Sequence, residues 1–164
     1  MLIKITAKKS YIFLISLIFA QNQRANMAKL NVLALCDRLS IKNIKNIINF
    51  NVGYVAQKIA EKPALHRFPR RTAQIIINLV LYLRHNYDED PRGLWEDASS
   101  IANLREKIEK LPGFGHHMTE TAIFLLVKEY DLNVEDYNES EINRWCHRLQ
   151  INLIGNPPAL PGRQ

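Results

Sequence analysis

The residues 111–115, Leu-Pro-Gly-Phe-Gly, constrain the fold of this chain more than any other segment. They lie between two helical patterns, and the first helix must end before Pro112 because a residue that precedes proline avoids the helical region. Gly113 and Gly115 allow positive φ angles and close approach of another molecule to the backbone. The next helix, from His116, begins with N–H groups that have no acceptor within the helix, which suits a phosphate. The alternative is a tight turn between packed helices without a ligand.

The remaining sequence predicts an all-helical protein. The apolar runs 75–80 and 123–127 are bordered by helix-length polar patterns and not by alternating ones. Helices are expected at about 11–20, 24–39, 41–48, 51–60, 70–86, 91–96, 99–110, 116–130 and 139–150.

The length of 164 residues suits one domain. We expect this domain to cover residues 1–154. The last stretch, 155–164, contains three prolines and lacks hydrophobic periodicity, so it is expected to be a flexible tail.

The charge is distributed unevenly along the chain. The net charge is +6, yet residues 1–87 carry 14 Lys or Arg against two acids, and residues 88–141 carry 14 acids against five bases. A basic half suits contacts with phosphates. However, the 111–115 segment lies in the acidic half, which argues against strong generic affinity for DNA at that segment.

The N-terminal apolar run 11–20 follows three lysines and therefore resembles a signal peptide. Ile18 is too bulky for the usual cleavage pattern, and the run is shorter than the ~20 residues of a membrane span. We predict a buried core helix here, no membrane contact and a cytoplasmic, nucleoid-associated protein. Cys36 and Cys146 lack the spacing of metal ligands.

The segment 101–127, with its Leu-Pro-Gly-Phe-Gly turn, resembles the helix-hairpin-helix motif of base-excision DNA glycosylases related to endonuclease III. Other segments match the family in the same order, over residues 11–151. The apolar helix 11–20 leads to Gln21, the basic cluster 66–71 precedes another apolar helix, and Glu139 is followed by Arg144 and Arg148-Leu149.

The resemblance implies an all-α, two-lobed helical array that binds double-stranded DNA as a monomer. Gln21 would fill the gap left by an extruded base. The hairpin residues Gly113, Phe114, Gly115, His116 and His117 would contact the DNA backbone.

A second DNA contact is expected at the basic cluster, through Arg67 and Arg70. Its alternative is structural, because Pro69 also marks the beginning of a helix and needs no ligand there.

Glu139 lies where the family has its catalytic aspartate, and Asp136 is the rival position. A carboxylate there would stabilise the cationic sugar that forms during base release. Both residues could equally be surface acids at the beginning of a helix. His117 takes the position of the lysine that forms a Schiff base in bifunctional members, so a monofunctional glycosylase without lyase activity is expected.

Two further hypotheses remain open. One is a helix-hairpin-helix module that binds DNA without catalysis, and the other is a helical protein-interaction domain.

The resemblance also implies a monovalent cation at the hairpin, held by the backbone carbonyls of Leu111 and Gly113. The four-cysteine cluster of many relatives is missing, so no iron–sulfur cluster and no other cofactor is expected.

Overall fold

A computed structural model describes residues 5–20 and 25–134 of the chain. The described residues form six α-helices and two 3₁₀ helices, and they contain no strand, which confirms the all-α prediction. The elements are α1 (Ala7–Phe19), α2 (Ala25–Leu39), a 3₁₀ helix (Ile44–Asn49), α3 (Val52–Ala60), α4 (Pro69–Tyr87), a second 3₁₀ helix (Pro91–Leu94), α5 (Ile101–Glu109) and α6 (His116–Glu129).

Helix α1 is the centre of the core. It begins four residues earlier than predicted because the Thr6 side chain caps it, accepting a hydrogen bond from the Lys9 N–H at 3.2 Å. Every residue from Ser10 to Phe19 except Ile12 is buried. The apolar N-terminal run is therefore a core helix, as predicted, and no helix in the described parts of the chain is long and apolar enough to cross a membrane.

Two predicted α-helices are short 3₁₀ helices. The segment expected at 41–48 is the 3₁₀ helix Ile44–Asn49, capped by the Asn43 side chain, and the segment expected at 91–96 is Pro91–Leu94, capped by Asp90. In both cases an Asn or Asp side chain accepts a hydrogen bond from the N–H two residues later. These local bonds favour tight turns over longer helices.

Helices α2, α3 and α4 pack in sequence, and α1 joins them to the pair formed by α5 and α6. The Arg38 guanidinium on α2 donates to the carbonyls of Lys58 and Glu61, both at 2.8 Å, and to Pro63 at 2.7 Å. The carbonyls at the end of a helix have no N–H donor within the helix, and Arg38 supplies the missing donors. One charge of the basic half is thus used inside the fold.

The beginning of α4 is fixed by a buried histidine. His66 Nδ1 accepts a hydrogen bond from the Phe68 N–H at 3.0 Å and lies 3.0 Å from the Thr72 hydroxyl. Burial lowers the pKa of His66, and the nearby charges of Arg67 and Arg71 lower it further. His66 is therefore a neutral core residue and not part of a basic surface.

We predict that His66 makes the fold sensitive to mild acid. Its pKa is lower in the folded protein than the ordinary value of about 6.5, so the unfolded chain binds the proton more readily. The contribution is fully present above pH 6.5 and is lost as the pH falls below it, by at most about 1.4 kcal/mol per pH unit. Urea unfolding from pH 8 to pH 5 would measure the loss. The non-titrating His66→Gln variant should show a smaller loss, and identical pH profiles would contradict the prediction.

Candidate nucleic-acid interface

The hairpin between α5 and α6 is anchored in the core by its apolar residues. The Leu111 N–H donates to the Ile108 carbonyl, and the Phe114 N–H donates to the Leu111 carbonyl, both at 3.0 Å. The side chains of Leu111 and Phe114 are buried, whereas Gly113 and Gly115 are exposed. Because every second or third residue of the turn is held by the core, the exposed backbone between them has a fixed position.

The two glycines have different roles. Gly113 has a φ of +80°, and a Cβ there would collide with the Cγ2 atom of Ile75 on α4. Gly115 has an ordinary φ of −84°, and a Cβ there would meet nothing within 4 Å. Of the two glycines that could adopt a positive φ, only Gly113 does so.

Helix α6 begins at His116, as predicted. Its N-cap residue is Gly115, and among the described residues no side chain caps the helix. The first bond of the helix runs from the Thr119 N–H to the Gly115 carbonyl at 3.0 Å. Gly115, His116 and His117 are exposed. An anion can therefore approach the positive end of the α6 dipole from solvent.

Two carboxylates next to the turn have a basic neighbour. His116 lies 3.6 Å from the Glu109 carboxylate, and Lys110 forms an ion pair with Glu106 at 3.0 Å. The predicted weakness of the hairpin as a generic electrostatic site stays a prediction. Affinity for an anion at this turn must come mainly from the backbone N–H groups.

A buried ion pair joins the two hairpin helices. The guanidinium of Arg105 on α5 contacts both carboxylate oxygens of Glu120 on α6, and Glu120 is only 5% exposed. Such a fork-to-fork pair fixes the orientation of both partners. The angle between α5 and α6, and hence the shape of the turn, is held by this contact.

The predicted basic patch lies at the beginning of α4. Arg67, Phe68, Arg70 and Arg71 are exposed, and the Arg67 guanidinium lies over the Phe68 ring, 5.1 Å from its centre. Among the described residues, no carboxylate forms an ion pair with these arginines. Their charges are therefore available to an anionic ligand.

The contact between Gly113 and Ile75 brings the patch and the hairpin together. Ile75 follows Arg71 by four residues, so the two share one face of α4 about 6 Å apart along the helix axis. The sequence did not single out Arg71 or Ile75. The i, i+4 spacing places them on one face, but only the tertiary contact shows that this face carries the turn.

Several predicted site residues lie outside the described parts of the chain. These are the proposed wedge Gln21 and the two candidate carboxylates, Asp136 and Glu139. Within residues 5–20 and 25–134, no group of three His, Cys, Asp or Glu side chains could hold a metal ion. The backbone-carbonyl cation site at Leu111 and Gly113 stays a prediction.

Comparison with known proteins adds no family to this description. No family model, no curated protein and no solved structure matches the chain.

The two glycines should differ sharply in their effect on stability. Gly113→Ala forces a side chain into a left-handed backbone position and against Ile75, so we expect a loss of about 2 kcal/mol in the free energy of unfolding. Gly115→Ala adds a methyl group in open space and should cost less than about 1 kcal/mol, mainly because alanine is a poor N-cap. Urea denaturation would measure both. Equal losses would contradict the assigned division of roles.

Proposed function

We propose that this chain binds double-stranded DNA through its hairpin and the basic beginning of α4, and that it acts as a monofunctional DNA glycosylase. The single observation that carries the DNA-binding part is the packing of Gly113 on Ile75. Through this contact the turn that precedes α6 packs against α4, the helix that begins with arginines that have no carboxylate partner among the described residues. Both elements suit phosphates.

An exposed aromatic side chain supports the same proposal. Phe68 is 51% exposed, and the Arg67 guanidinium lies over its ring. Exposed aromatic rings next to arginine are the usual platform on which an unstacked base can lie. A protein that extrudes a base has to support the DNA left behind, and in this proposal Phe68 does so together with Gln21.

The catalytic part of the proposal follows from the resemblance in the sequence. Glu139 would supply the carboxylate that stabilises the cationic sugar and activates water, with Asp136 as the rival. His117, exposed at the beginning of α6, cannot form the Schiff base of bifunctional enzymes. Base release would therefore leave the DNA strand intact.

The second candidate is a DNA-binding module without catalysis. The carboxylates beside the hairpin favour it, because Glu106 pairs with Lys110 and Glu109 lies beside His116, which makes the turn a modest electrostatic site. A glutamate at the position of the family's aspartate also favours it, since the additional methylene displaces the carboxylate, and catalysis depends strongly on such placement.

The DNA-binding proposal predicts that a negative charge at Gly115 abolishes binding without unfolding the protein. In Gly115→Asp the carboxylate can cap α6 and occupy the position of a phosphate, so stability should change by less than about 0.5 kcal/mol. Affinity for a 20-base-pair duplex, measured by fluorescence anisotropy at low salt, should fall by about tenfold or more.

Gly115→Asn is the matched control, because asparagine caps a helix about as well as aspartate but carries no charge. It should lose much less affinity than Gly115→Asp and keep the dependence of affinity on salt. If both variants bind duplex DNA as the wild type does, the hairpin is not a phosphate site. If the wild type binds without any dependence on salt, backbone recognition of DNA fails as well.

The glycosylase proposal predicts release of a free base from at least one duplex in a panel of damaged and mismatched substrates. Glu139→Gln should reduce this release by about 100-fold or more while DNA affinity stays intact, because only the charge is removed. Borohydride should trap no covalent adduct. Binding without base release on every substrate would support the non-catalytic module, and a trapped adduct would contradict the monofunctional assignment.

A further inference from the structure

The solvent face of α4 extends from the basic patch along the whole helix. The exposed side chains Arg70, Gln74, Asn78, Leu81 and His85 follow one another at intervals of three or four residues, so they form one stripe. This stripe is unusual because it has no acid. In the sequence from residue 62 to residue 87 there is no Asp or Glu at all.

The hairpin turn lies along one edge of this stripe. Gly113 contacts Ile75 in the first half of α4. The turn therefore lies beside the first half of α4, close to its arginine-bearing beginning.

Helix α5 and the segment before it carry exposed carboxylates, whereas α4 carries none. Glu106 and Glu109 are exposed on α5, with Lys110 and His116 beside them, and Glu96 and Asp97 are exposed in the segment that precedes it. A duplex held at the hairpin is expected to meet less repulsion along α4 than along α5, up to the end of α4, where the exposed Asp88 follows.

We propose that the solvent face of α4 is a second DNA contact, which holds the duplex that flanks the phosphate bound at the hairpin. This inference rests on the proposed DNA binding and adds the path that the duplex takes across the protein. From Arg70 to His85 the face is about 22 Å long. Since each strand carries one phosphate per 3.4 Å of duplex, this length corresponds to roughly six base pairs.

The middle of the face supplies amides in place of charges. Gln74 Nε2 donates to Asn78 Oδ1 at 2.9 Å, so the two side chains hold each other in position on the surface. The Asn78 amide NH₂ remains a donor toward a phosphate oxygen. Because neither residue is needed for the core, both can be changed without disturbing the packing of α4.

The test compares wild type and variants on a long duplex of about 24 base pairs at low salt. Gln74→Glu combined with Asn78→Asp should lower affinity for this duplex about fivefold, because the new carboxylates would lie where the α4 face meets phosphates. Asn78→Lys should raise affinity for the long duplex about twofold to threefold. This second variant keeps the test decisive if the acidic pair weakens the helix.

The matched control is Gln57→Glu combined with Asn49→Asp, which changes two other exposed amides in the same way. It should alter affinity for the long duplex by less than about twofold. If the control lowers affinity as much as the α4 pair, the effect is one of net charge and the inference is overturned. If the α4 variants leave the long duplex unaffected while Gly115→Asp abolishes binding, the α4 path is wrong and the hairpin proposal stands. If Gly115→Asp is silent too, both fail.

Discussion

The candidate interface depends on one packing contact, that of the Gly113 backbone on the Ile75 side chain. Only a residue without a Cβ can combine the φ of +80° with this close approach to α4. The contact sets the distance between the hairpin and the arginines at the beginning of α4. A side chain at this position would move the turn away from Ile75 and separate the two groups that the proposal assigns to one DNA backbone.

Two buried polar contacts keep the exposed ends of the helices in place. His66 holds the beginning of α4 through the Phe68 N–H and the Thr72 hydroxyl, and Arg105 with Glu120 holds α5 against α6. Neither contact belongs to the exposed surface that would meet a ligand. Because they fix where each helix begins, the N–H groups and arginines would need little rearrangement to bind an anion, which lowers the cost of ordering on binding.

The sequence predicted the features that depend on local chemistry. Helical periodicity located the helices, and the order proline, glycine, helix located the turn and the beginning of α6 at His116. It could not separate Gly113 from Gly115, because their difference lies in whether α4 is near. It also counted His66 as part of a basic cluster, since burial by distant segments is not visible in a run of neighbouring residues. The exposed stripe on α4 could be recognised only after the structure showed which side of the helix faces solvent.

The charge asymmetry of the chain has more than one physical role. Part of the positive charge is used inside the fold, as Arg38 shows by binding the last carbonyls of α3, and part is neutralised in ion pairs such as Lys58 with Glu61. Among the described residues, the arginines that begin α4 have no ion-pair partner, whereas exposed carboxylates lie on α5 and in the segment before it. A strong field at the hairpin would hold any stretch of DNA equally. If the proposed DNA binding holds, a hairpin that binds mainly through its N–H groups, next to an acid-free helix face, would favour a single orientation of the duplex over the turn, and the proposed base excision would require such an orientation.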